Sequence, residues 1–317
     1  MNRFHFPLVL GCAVLLGSPV QGAKFGTFDA ETVVFLGDSI THAGHYVSFV
    51  EARVRELNGN KVPRIINMGL PSETCSGLSE PDHPFPRPTV HERLDRVLAK
   101  TKPDLVFACY GMNDGIYYPF SEERFAKYQE GIHKLIRKVK ATGAKLVLIT
   151  PPPFDPLPLK KKGKLLPAGK KKYAWFEIYE GYNGVLDRYA EWLKSQASKV
   201  EMVIDVRKPI DAAVANARKK DPEFTLSGDG VHIDKRGHEL FARAVMKALG
   251  IGVGIGGKMP DAGLFKLVEA RHKVAHLAWL THAGHKRPGP NSKIPFEDAM
   301  KQDAAIQRKI TAWFTKK

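Results

Sequence analysis

The hydrophobic pattern of the first 250 residues alternates between short apolar runs and longer amphipathic segments. Five runs rich in β-branched, aliphatic and aromatic residues have the character of buried strands: 32–36, 64–69, 105–110, 145–150 and 201–206. Between them, apolar residues recur at spacings of three or four, as they do from Tyr46 to Leu57, which predicts helices. Because nearly continuous apolar strands alternate with helices, we expect an α/β fold with a mostly parallel five-stranded sheet and helices on both faces.

The same pattern predicts the remaining helices and one long surface loop. The helices are expected at 89–100, 121–142, 173–198, 210–219, 237–249, 262–282 and 296–314. The loop, 154–172, carries seven lysines within thirteen positions, together with proline and glycine. We expect either a solvated excursion or a contact with something anionic there. One or two aromatic residues of the following helix, near the loop, could line a groove for sugars.

The N-terminal residues 1–23 have the composition of a secretory signal. A basic start precedes a mostly apolar stretch, 4–16, which is too short to span a bilayer, and small residues follow as far as Ala23. The stretch that ends in Cys12 also resembles a lipoprotein processing box. Because the apolar run continues beyond Cys12, we favour export to the periplasm or the extracellular space, with cleavage near Gly22 or Ala23, over a lipid anchor. No other apolar stretch of the sequence is long enough for a transmembrane span.

All five predicted strands fall within residues 24–250, which we expect to form the α/β domain of the protein. Residues 251–317 are expected to form a glycine-rich linker followed by a basic helical extension. The extension could pack back on the helices of the domain or offer a surface to a partner. Trp279, Trp313 and Phe314 distinguish these alternatives, because buried rings would indicate packing and a shared exposed patch would indicate a partner.

The formal net charge of +16 does not by itself identify a partner. Such a charge suits either an anionic partner or a merely basic, solvated surface. No nucleic-acid-binding module accompanies it, so we expect no nucleic-acid partner. Cys75 and Cys109 could form one disulfide in an exported protein or remain two buried thiols, and we favour the thiols. The oligomeric state stays open.

Residues that suit catalysis follow the predicted strands. Gly37-Asp38-Ser39 comes after the first strand, Gly69 ends the second strand, and Asn113 follows the third. A later loop supplies Asp229-Gly230-Val231-His232. Sites in open α/β sheets form outside the carboxyl ends of the strands, so we expect these residues to meet there.

These four stretches resemble the four sequence blocks of the SGNH (GDSL) hydrolase family, over residues 32 to about 249. Each stretch alone also fits a helix cap, a turn or a surface histidine, and only their joint occurrence in the right order favours catalysis. The resemblance implies a flavodoxin-like three-layer α/β/α sandwich. It also implies a serine esterase that needs no metal and no organic cofactor.

The resemblance further implies a role for each matching residue. Ser39 would be the nucleophile, His232 its general base and then its general acid, and Asp229 would orient the imidazole. The backbone N–H groups of Ser39 and Gly69 and the side-chain amide of Asn113 would form the oxyanion hole. The residue chemistry agrees, because a serine hydroxyl needs a base to take its proton and imidazole titrates near neutral pH.

Other conspicuous residues are not expected to bind a cofactor. The stretch 252–257 contains a Gly-x-Gly-x-x-Gly pattern, but it follows a helix rather than a strand, so we interpret it as a linker. His272 and His276 lie one helical turn apart without a third ligand at a convincing spacing, so we expect no metal. We interpret Asp38 and Asp114 as residues that hold loops by hydrogen bonds to the backbone.

We therefore expect an exported serine esterase that hydrolyses small acyl esters, acetyl esters above all, through an acyl-enzyme on Ser39. An acetylated polysaccharide or its fragments is the natural substrate for an exported member of the family, and the lysine-rich loop would suit an acidic or sulfated glycan. A lysophospholipase or short-chain lipase is the alternative among enzymes. A non-catalytic glycan-binding module on the same fold is the alternative of another class.

Overall fold

The computed structural model describes residues 23–252 and 259–316. The predicted signal, apart from its last residue, and most of the predicted glycine-rich linker lie outside these ranges. The described residues form nine strands: β1 (Ala23–Phe25), β2 (Phe28–Ala30), β3 (Thr32–Gly37), β4 (Arg64–Asn67), β5 (Leu105–Cys109), β6 (Lys145–Ile149), β7 (Leu165–Leu166), β8 (Ile178–Tyr179) and β9 (Met202–Ile204). They also form ten α-helices: α1 (Ser39–Ala43), α2 (His45–Leu57), α3 (Val90–Thr101), α4 (Glu122–Ala141), α5 (Leu157–Lys161), α6 (Tyr182–Ser195), α7 (Arg207–Arg218), α8 (Lys235–Ala248), α9 (Ala262–Ala283) and α10 (Phe296–Thr315).

Five strands form the central sheet, all parallel, in the order β4–β3–β5–β6–β9. Val33 of β3 pairs with Ile65 on one side and with Leu105 on the other. Every residue of β3 and β5 is buried, as expected for strands that are covered on both faces. Numbered along the chain, the order is 2-1-3-4-5, which is the flavodoxin-like order. The predicted α/β sandwich with five parallel strands is therefore confirmed.

Helices cover both faces of the sheet because the chain changes direction along it. The crossover from β3 to β4 runs one way, and the crossovers from β4 to β9 run the other way. Since parallel crossovers are right-handed, α2 lies on one face and α3, α4 and α6 lie on the opposite face. Helix α8 packs beside α2, where Tyr46 contacts Phe35 of the sheet and Phe241 of α8. On the other face, Tyr128 of α4 stacks on Tyr189 of α6.

The two C-terminal helices, which the sequence predicts, pack back on the rest of the protein. Helix α9 contacts the edge strand β4 and helices α2 and α3, and α10 packs on α9. Trp279 is buried, while Trp313 and Phe314 are partly buried against a small apolar cluster that includes Ile310. Of the two alternatives for the extension, packing is the one observed. Helix α9 also covers a sheet edge that would otherwise expose unpaired backbone groups.

The helix predicted at 173–198 is wrong at its N-terminal end. Residues 174–177 form a tight turn, closed by hydrogen bonds in both directions between the backbones of Ala174 and Glu177. Strand β8 follows and pairs with β7, and α6 begins only after Gly181. The predicted loop at 154–172 accordingly contains α5 and β7. Trp175 and Phe176, which lie in this turn, are exposed.

Cys75 and Cys109 are both buried and free, as we favoured from the sequence. Burial raises the pKa of each thiol well above its ordinary value, so neither carries a reactive thiolate at neutral pH. Within residues 23–252 and 259–316, no helix is long and apolar enough to cross a membrane.

Candidate active site

The three side chains predicted to be catalytic meet at the carboxyl end of the sheet. Ser39 is the first residue of α1, directly after β3, and its Oγ lies 2.8 Å from Nε2 of His232. Nδ1 of His232 lies 2.7 Å from Oδ2 of Asp229. A hydrogen-bonded chain from hydroxyl through imidazole to carboxylate lets the imidazole take the proton of the serine.

The site lies where the topology of the sheet opens a crevice. Ser39 follows β3 and Asn113 follows β5, and these two strands are neighbours whose chain connections leave toward opposite sides of the sheet. Such a switch point is where open α/β sheets bind ligands. The strand order thus brings together two of the sequence stretches that lie far apart along the chain.

A tight loop places Asp229 and His232 side by side. Oδ1 of Asp229 accepts hydrogen bonds from the backbone N–H groups of Val231 (3.0 Å) and His232 (2.8 Å). Gly230 between them has φ +79°, and a Cβ at this position would overlap the carbonyl oxygen of Asp155. Only glycine fits there, so the spacing of aspartate and histidine depends on this residue.

The charges of this pair favour the protonation state that catalysis needs. Burial opposes ionisation of Asp229, but hydrogen bonds from the side chain and backbone of His232 hold the pKa of the carboxyl well below its usual range. The hydrogen bond to Asp229 in turn raises the pKa of His232 above its ordinary value. An ionised Asp229 keeps the proton on Nδ1, so Nε2 accepts from the Ser39 hydroxyl. The side chains of His232 and Asp229 are 54% and 52% exposed, so a substrate can reach them.

Asn113 presents its amide with a defined orientation. The hydroxyl of Tyr117 donates to Oδ1 of Asn113 at 2.7 Å, and Nδ2 donates to the carbonyl of Glu73 at 3.1 Å. An amide nitrogen carries two N–H groups, so one remains beside the cavity that Asn113 lines. The Ser39 N–H lies in the first turn of α1, where no carbonyl of the helix can accept from it. Both groups are suited to stabilising an oxyanion.

Gly69 lies against α1, but its N–H is engaged. It donates to Oδ1 of Asn67 at 2.8 Å. A Cβ at position 69 would overlap the backbone nitrogen of His42, so the close approach of the two segments requires glycine. The Gly69 carbonyl lies 3.2 Å from Nδ1 of His42 and 2.8 Å from Nε2 of His276, which belongs to α9. The C-terminal extension thus contacts one of the predicted oxyanion-hole residues directly.

The two further aspartates act as the sequence predicts, on the backbone. Oδ1 of Asp38 accepts from the N–H of Ile40 at 2.9 Å and caps α1, and burial raises its pKa to about 7. Oδ1 of Asp114 accepts from the N–H groups of Cys75 (2.8 Å) and Ser76 (2.7 Å), and burial raises its pKa to about 6. They hold the loops that carry Ser39 and Asn113.

A cavity of about 290 Å³ opens beside Ser39 and His232. Its wall includes several residues that the sequence did not assign to the site: Phe85, Arg87, Tyr117, Trp175 and Arg287. The sequence hinted at an aromatic residue near the lysine-rich loop without indicating which one. Nothing local marks Arg287, because its place depends on how α9 docks against the domain.

The histidine pair of α9 has partners of its own. Nε2 of His272 lies 2.7 Å from Oε2 of Glu51, while His276 contacts the Gly69 carbonyl. Across the part of the chain that the structure describes, no group of three or more histidine, cysteine, aspartate or glutamate side chains could hold a metal ion.

Three solved structures share this fold at low sequence identity. A gut microbial diltiazem-metabolizing enzyme is 23% identical with a TM-score of 0.56, and the match covers 74% of this chain and 48% of that one, about half of its length. An alpha/beta hydrolase enzyme from the metagenome of Lake Arreo, Spain, is 20% identical, with a TM-score of 0.53 and coverage of 71% and 98%. An acetylxylan esterase from Geobacillus stearothermophilus is 21% identical, with a TM-score of 0.50 and coverage of 72% and 96%. No curated protein matches the sequence.

The family comparison goes further than the fold. A model of the GDSL-like lipase/acylhydrolase family matches residues 35–240, more than half of the 317 residues. The matched range includes the serine, the histidine and the aspartate whose side chains are hydrogen-bonded in the structure. The match ends before α9, so the extension lies outside the part that the family defines. The chain therefore belongs to the GDSL-like lipase/acylhydrolase family and is an ester hydrolase.

Proposed function

We propose that this protein is a serine esterase that removes small acyl groups, acetyl groups above all, from carbohydrate through an acyl-enzyme on Ser39. The observation that carries the proposal is the unbroken hydrogen-bonded chain from Ser39 through His232 to Asp229 beside an open cavity. No metal or organic cofactor takes part in the proposed reaction.

The first half of the reaction forms the acyl-enzyme. As Oγ of Ser39 attacks the carbonyl carbon of the ester, Nε2 of His232 takes the hydroxyl proton. Asp229 stabilises the imidazolium that results. The negative oxygen of the tetrahedral intermediate is stabilised by the Ser39 N–H and by the free N–H of Asn113. Gly69 would contribute its N–H only after releasing the oxygen of Asn67.

The second half releases the acid and restores the enzyme. When the intermediate collapses, the bond to the alcohol oxygen breaks and His232 gives its proton to the leaving alcohol. A water molecule then attacks the acyl carbon, and His232 takes a proton from that water. The bond to Ser39 Oγ breaks, the serine recovers its proton, and the carboxylic acid leaves.

Two features of the site favour a small acyl group on a sugar. A cavity of about 290 Å³ is at the lower end of the range for small-molecule sites. Trp175, half exposed at its rim, offers a flat aromatic face of the kind on which sugar rings stack. The fold shared with an acetylxylan esterase is consistent with this substrate class. A lysophospholipase would need an apolar groove for a long chain, whereas two guanidinium groups line this cavity.

Export is part of the proposal and is supported by the pattern of residues 1–23. If the signal is cleaved, the mass of the protein recovered from the periplasm or the medium will correspond to a start near residue 23. A cell-associated protein with a lipid on Cys12 would contradict it and would support a lipoprotein instead.

The experiment that tests the proposal is a panel of esters given to the purified wild type and to Ser39→Ala. The panel includes acetylated xylo-oligosaccharides, 4-nitrophenyl esters of increasing chain length and a lysophospholipid. We expect release of acetate from the glycan, less activity on long acyl chains, and no turnover in the variant. Preference for the lysophospholipid would favour the lipase alternative, and equal turnover by both proteins would refute Ser39 as the nucleophile.

A further inference from the structure

The segment between α9 and α10 reaches the wall of the catalytic cavity. Arg287, which belongs to this segment, lines the same cavity as Ser39 and His232. Arg287 lies beyond the range that matches the family model, 35–240. The positive charge at this position is therefore a property of the extension of this chain.

The cavity wall carries two guanidinium groups with different surroundings. Arg87 is neutralised by Glu80, whose two carboxylate oxygens accept from Nε (2.5 Å) and Nη2 (2.6 Å) of the arginine. Among the described residues, Arg287 takes part in no ion pair, and the hydrogen bond it donates is from Nη1 to the carbonyl of Pro288 at 2.6 Å. Its Nε is buried and has no hydrogen-bond partner in that same part of the chain. One of the two cations at the site thus lacks a counter-charge.

The position of the Arg287 guanidinium is restrained by its neighbours. It lies over the ring of Phe85, 5.1 Å from the ring centroid. The side chain is partly buried, and burial together with the nearby Arg87 lowers its pKa from the ordinary value. An arginine remains charged under these conditions, and a partly desolvated charge is stabilised when an anion binds to it. A guanidinium held by stacking presents its N–H edge to a ligand with little further loss of entropy.

Two lysines of the lysine-rich loop contact residues adjacent in sequence to the site. Nζ of Lys162 donates to the carbonyl of Gly228 at 2.8 Å, next to the catalytic loop. Nζ of Lys172 pairs with Asp82 at 3.2 Å, next to the cavity-lining His83. Trp175, which lines the cavity, follows this loop closely in sequence. Lys162 therefore adds a positive charge near His232, whereas the charge of Lys172 is offset by Asp82.

We propose that Arg287 binds the carboxylate of an acidic sugar whose acyl group lies at Ser39. The substrate class is then an acylated glycan that contains a uronic acid close to the scissile ester. This inference rests on the proposed function, since it names the alcohol part of the ester. Arginine and a carboxylate form two parallel hydrogen bonds, which gives the recognition its geometry as well as its charge.

A competing role must be separated from this one. A cation in the cavity could instead stabilise the oxyanion, and its loss would then slow turnover of every ester alike. If Arg287 instead recognises a carboxylate on the sugar, its loss lowers only the preference for acidic over neutral substrates. The ratio of two substrates that differ in that one group therefore distinguishes the roles.

The test compares the methyl glycosides of acetylated glucuronic acid and acetylated glucose. We expect the wild type to prefer the acidic ester by about 10- to 100-fold in kcat/KM, the magnitude of one charge-assisted hydrogen-bonded pair. Arg287→Gln should bring the ratio close to one, and Arg287→Lys should retain part of it because the charge remains without the fork. Lys286→Gln removes the same charge from the neighbouring exposed residue and should leave the ratio unchanged.

A binding measurement separates this proposal from the esterase proposal. Calorimetry on Ser39→Ala with methyl glucuronide and methyl glucoside reports recognition without turnover, and we expect tighter binding of the glucuronide that disappears in Ser39→Ala/Arg287→Gln. If the double variant loses this preference but unfolds at the same temperature as Ser39→Ala, misfolding does not explain the loss. Equal binding of the two sugars by Ser39→Ala would overturn the proposal, as would an equal loss of kcat on both esters in Arg287→Gln. Tighter binding of a sulfated glucoside than of the glucuronide would refute the proposal that Arg287 recognises a carboxylate.

Discussion

Two carboxylate–imidazole pairs in this protein have the same short distance and different surroundings. Asp229 and His232 lie 2.7 Å apart, as do Glu51 and His272. The first pair is about half exposed and its second ring nitrogen meets the Ser39 hydroxyl. The second pair is buried between α2 and α9. The pairing alone therefore does not make a catalytic site, and the neighbours of each pair decide what it does.

The neighbours of Glu51 make it a structural centre. Its carboxylate accepts from Arg55 and from Arg271 as well as from His272, and the glutamate side chain is fully buried. Burial would raise the pKa of Glu51, but the charges of Arg271 and Arg55 hold it well below its usual range. Arg271 also donates to the backbone carbonyl of Ile65 on the edge strand. This network attaches α9 to the domain.

The neighbours of Asp229 leave room for a change of charge. Within the described part of the chain its partners are His232, the Ser227 hydroxyl and two backbone N–H groups, and none of them is an arginine. The positive charge that Asp229 can stabilise therefore arises only when His232 takes a proton. The contrast predicts that changes to the exposed pair abolish activity at little cost in stability, and that changes to the buried pair do the reverse.

The largest expected effect is on the activity of His232→Ala. Without the base, the Ser39 hydroxyl is a weak nucleophile, so we expect kcat on an acetyl ester to fall by about 10⁴- to 10⁶-fold. Since the side chain is half exposed, the melting temperature should change little. Steady-state kinetics and thermal unfolding of the same preparation check both statements. A loss below tenfold would remove His232 from the mechanism.

Glu51→Gln should act on stability. Two buried arginines would lose their carboxylate, and an uncompensated buried charge typically costs about 3–5 kcal/mol. Denaturant unfolding at neutral pH measures the loss. The matched control is Glu269→Gln, which breaks the part-exposed pair with His45 in the same pair of helices and should cost less than about 1 kcal/mol. Equal effects of the two variants would contradict the structural role of the buried pair.

The low pKa of Glu51 also gives this contribution a pH dependence. A carboxyl whose pKa is lower in the folded state stabilises the protein above its unfolded pKa, and the stabilisation is lost as the pH falls toward the folded value. The difference in stability between the wild type and Glu51→Gln should therefore shrink in acid. A difference that grows in acid would contradict the sign.

Asn113→Ala should lower kcat with little change in KM. In the proposed mechanism the remaining N–H of its amide stabilises the oxyanion, and loss of one such donor costs about 10²–10³ in kcat. Tyr117→Phe keeps the amide but removes the hydroxyl that orients it, so we expect a smaller loss. If kcat/KM of Asn113→Ala falls by the same factor because KM rises while kcat is unchanged, Asn113 acts in substrate binding instead.

The smallest effect is a shift of the pH profile. The proposed mechanism requires neutral His232, so kcat/KM should fall as the pH drops through the pKa of this residue, which Asp229 raises above its ordinary value. In Ser39→Ala, nuclear magnetic resonance can follow the imidazole directly. Adding Asp229→Asn should lower the pKa of His232, because the hydrogen bond to the Asp229 carboxylate, which raises this pKa, is lost. An unchanged titration would refute the coupling.

The sequence predicted the parts that depend on local pattern. Buried parallel strands are continuous apolar runs, so the five strands of the sheet could be identified, and helical spacing identified α9 and α10. The candidate catalytic stretches could be identified because each follows a strand or forms a short loop in which residue spacing sets geometry. Ser39, Asp229 and His232 lie together in the structure for that reason.

The sequence did not predict what depends on packing between distant segments. Trp175 belongs to a stretch with helical spacing, yet the pairing of β7 with β8 turns it outward to the cavity. Arg287 reaches the site only because α9 docks against β4. The contact between the Gly69 N–H and Oδ1 of Asn67, by contrast, is local, because asparagine side chains often accept from the backbone N–H two residues on, and our interpretation of the sequence did not include it.

Mass spectrometry of the enzyme, quenched during turnover of an acetyl ester, shows whether Ser39 carries the acyl group. We expect a mass increase of one acetyl group, located on the peptide that contains Ser39 and absent from Ser39→Ala. The adduct should accumulate in burst-phase experiments if deacylation is the slower step. An acetyl group on another residue, or one that persists in Ser39→Ala while turnover continues, would rule out Ser39 as the nucleophile.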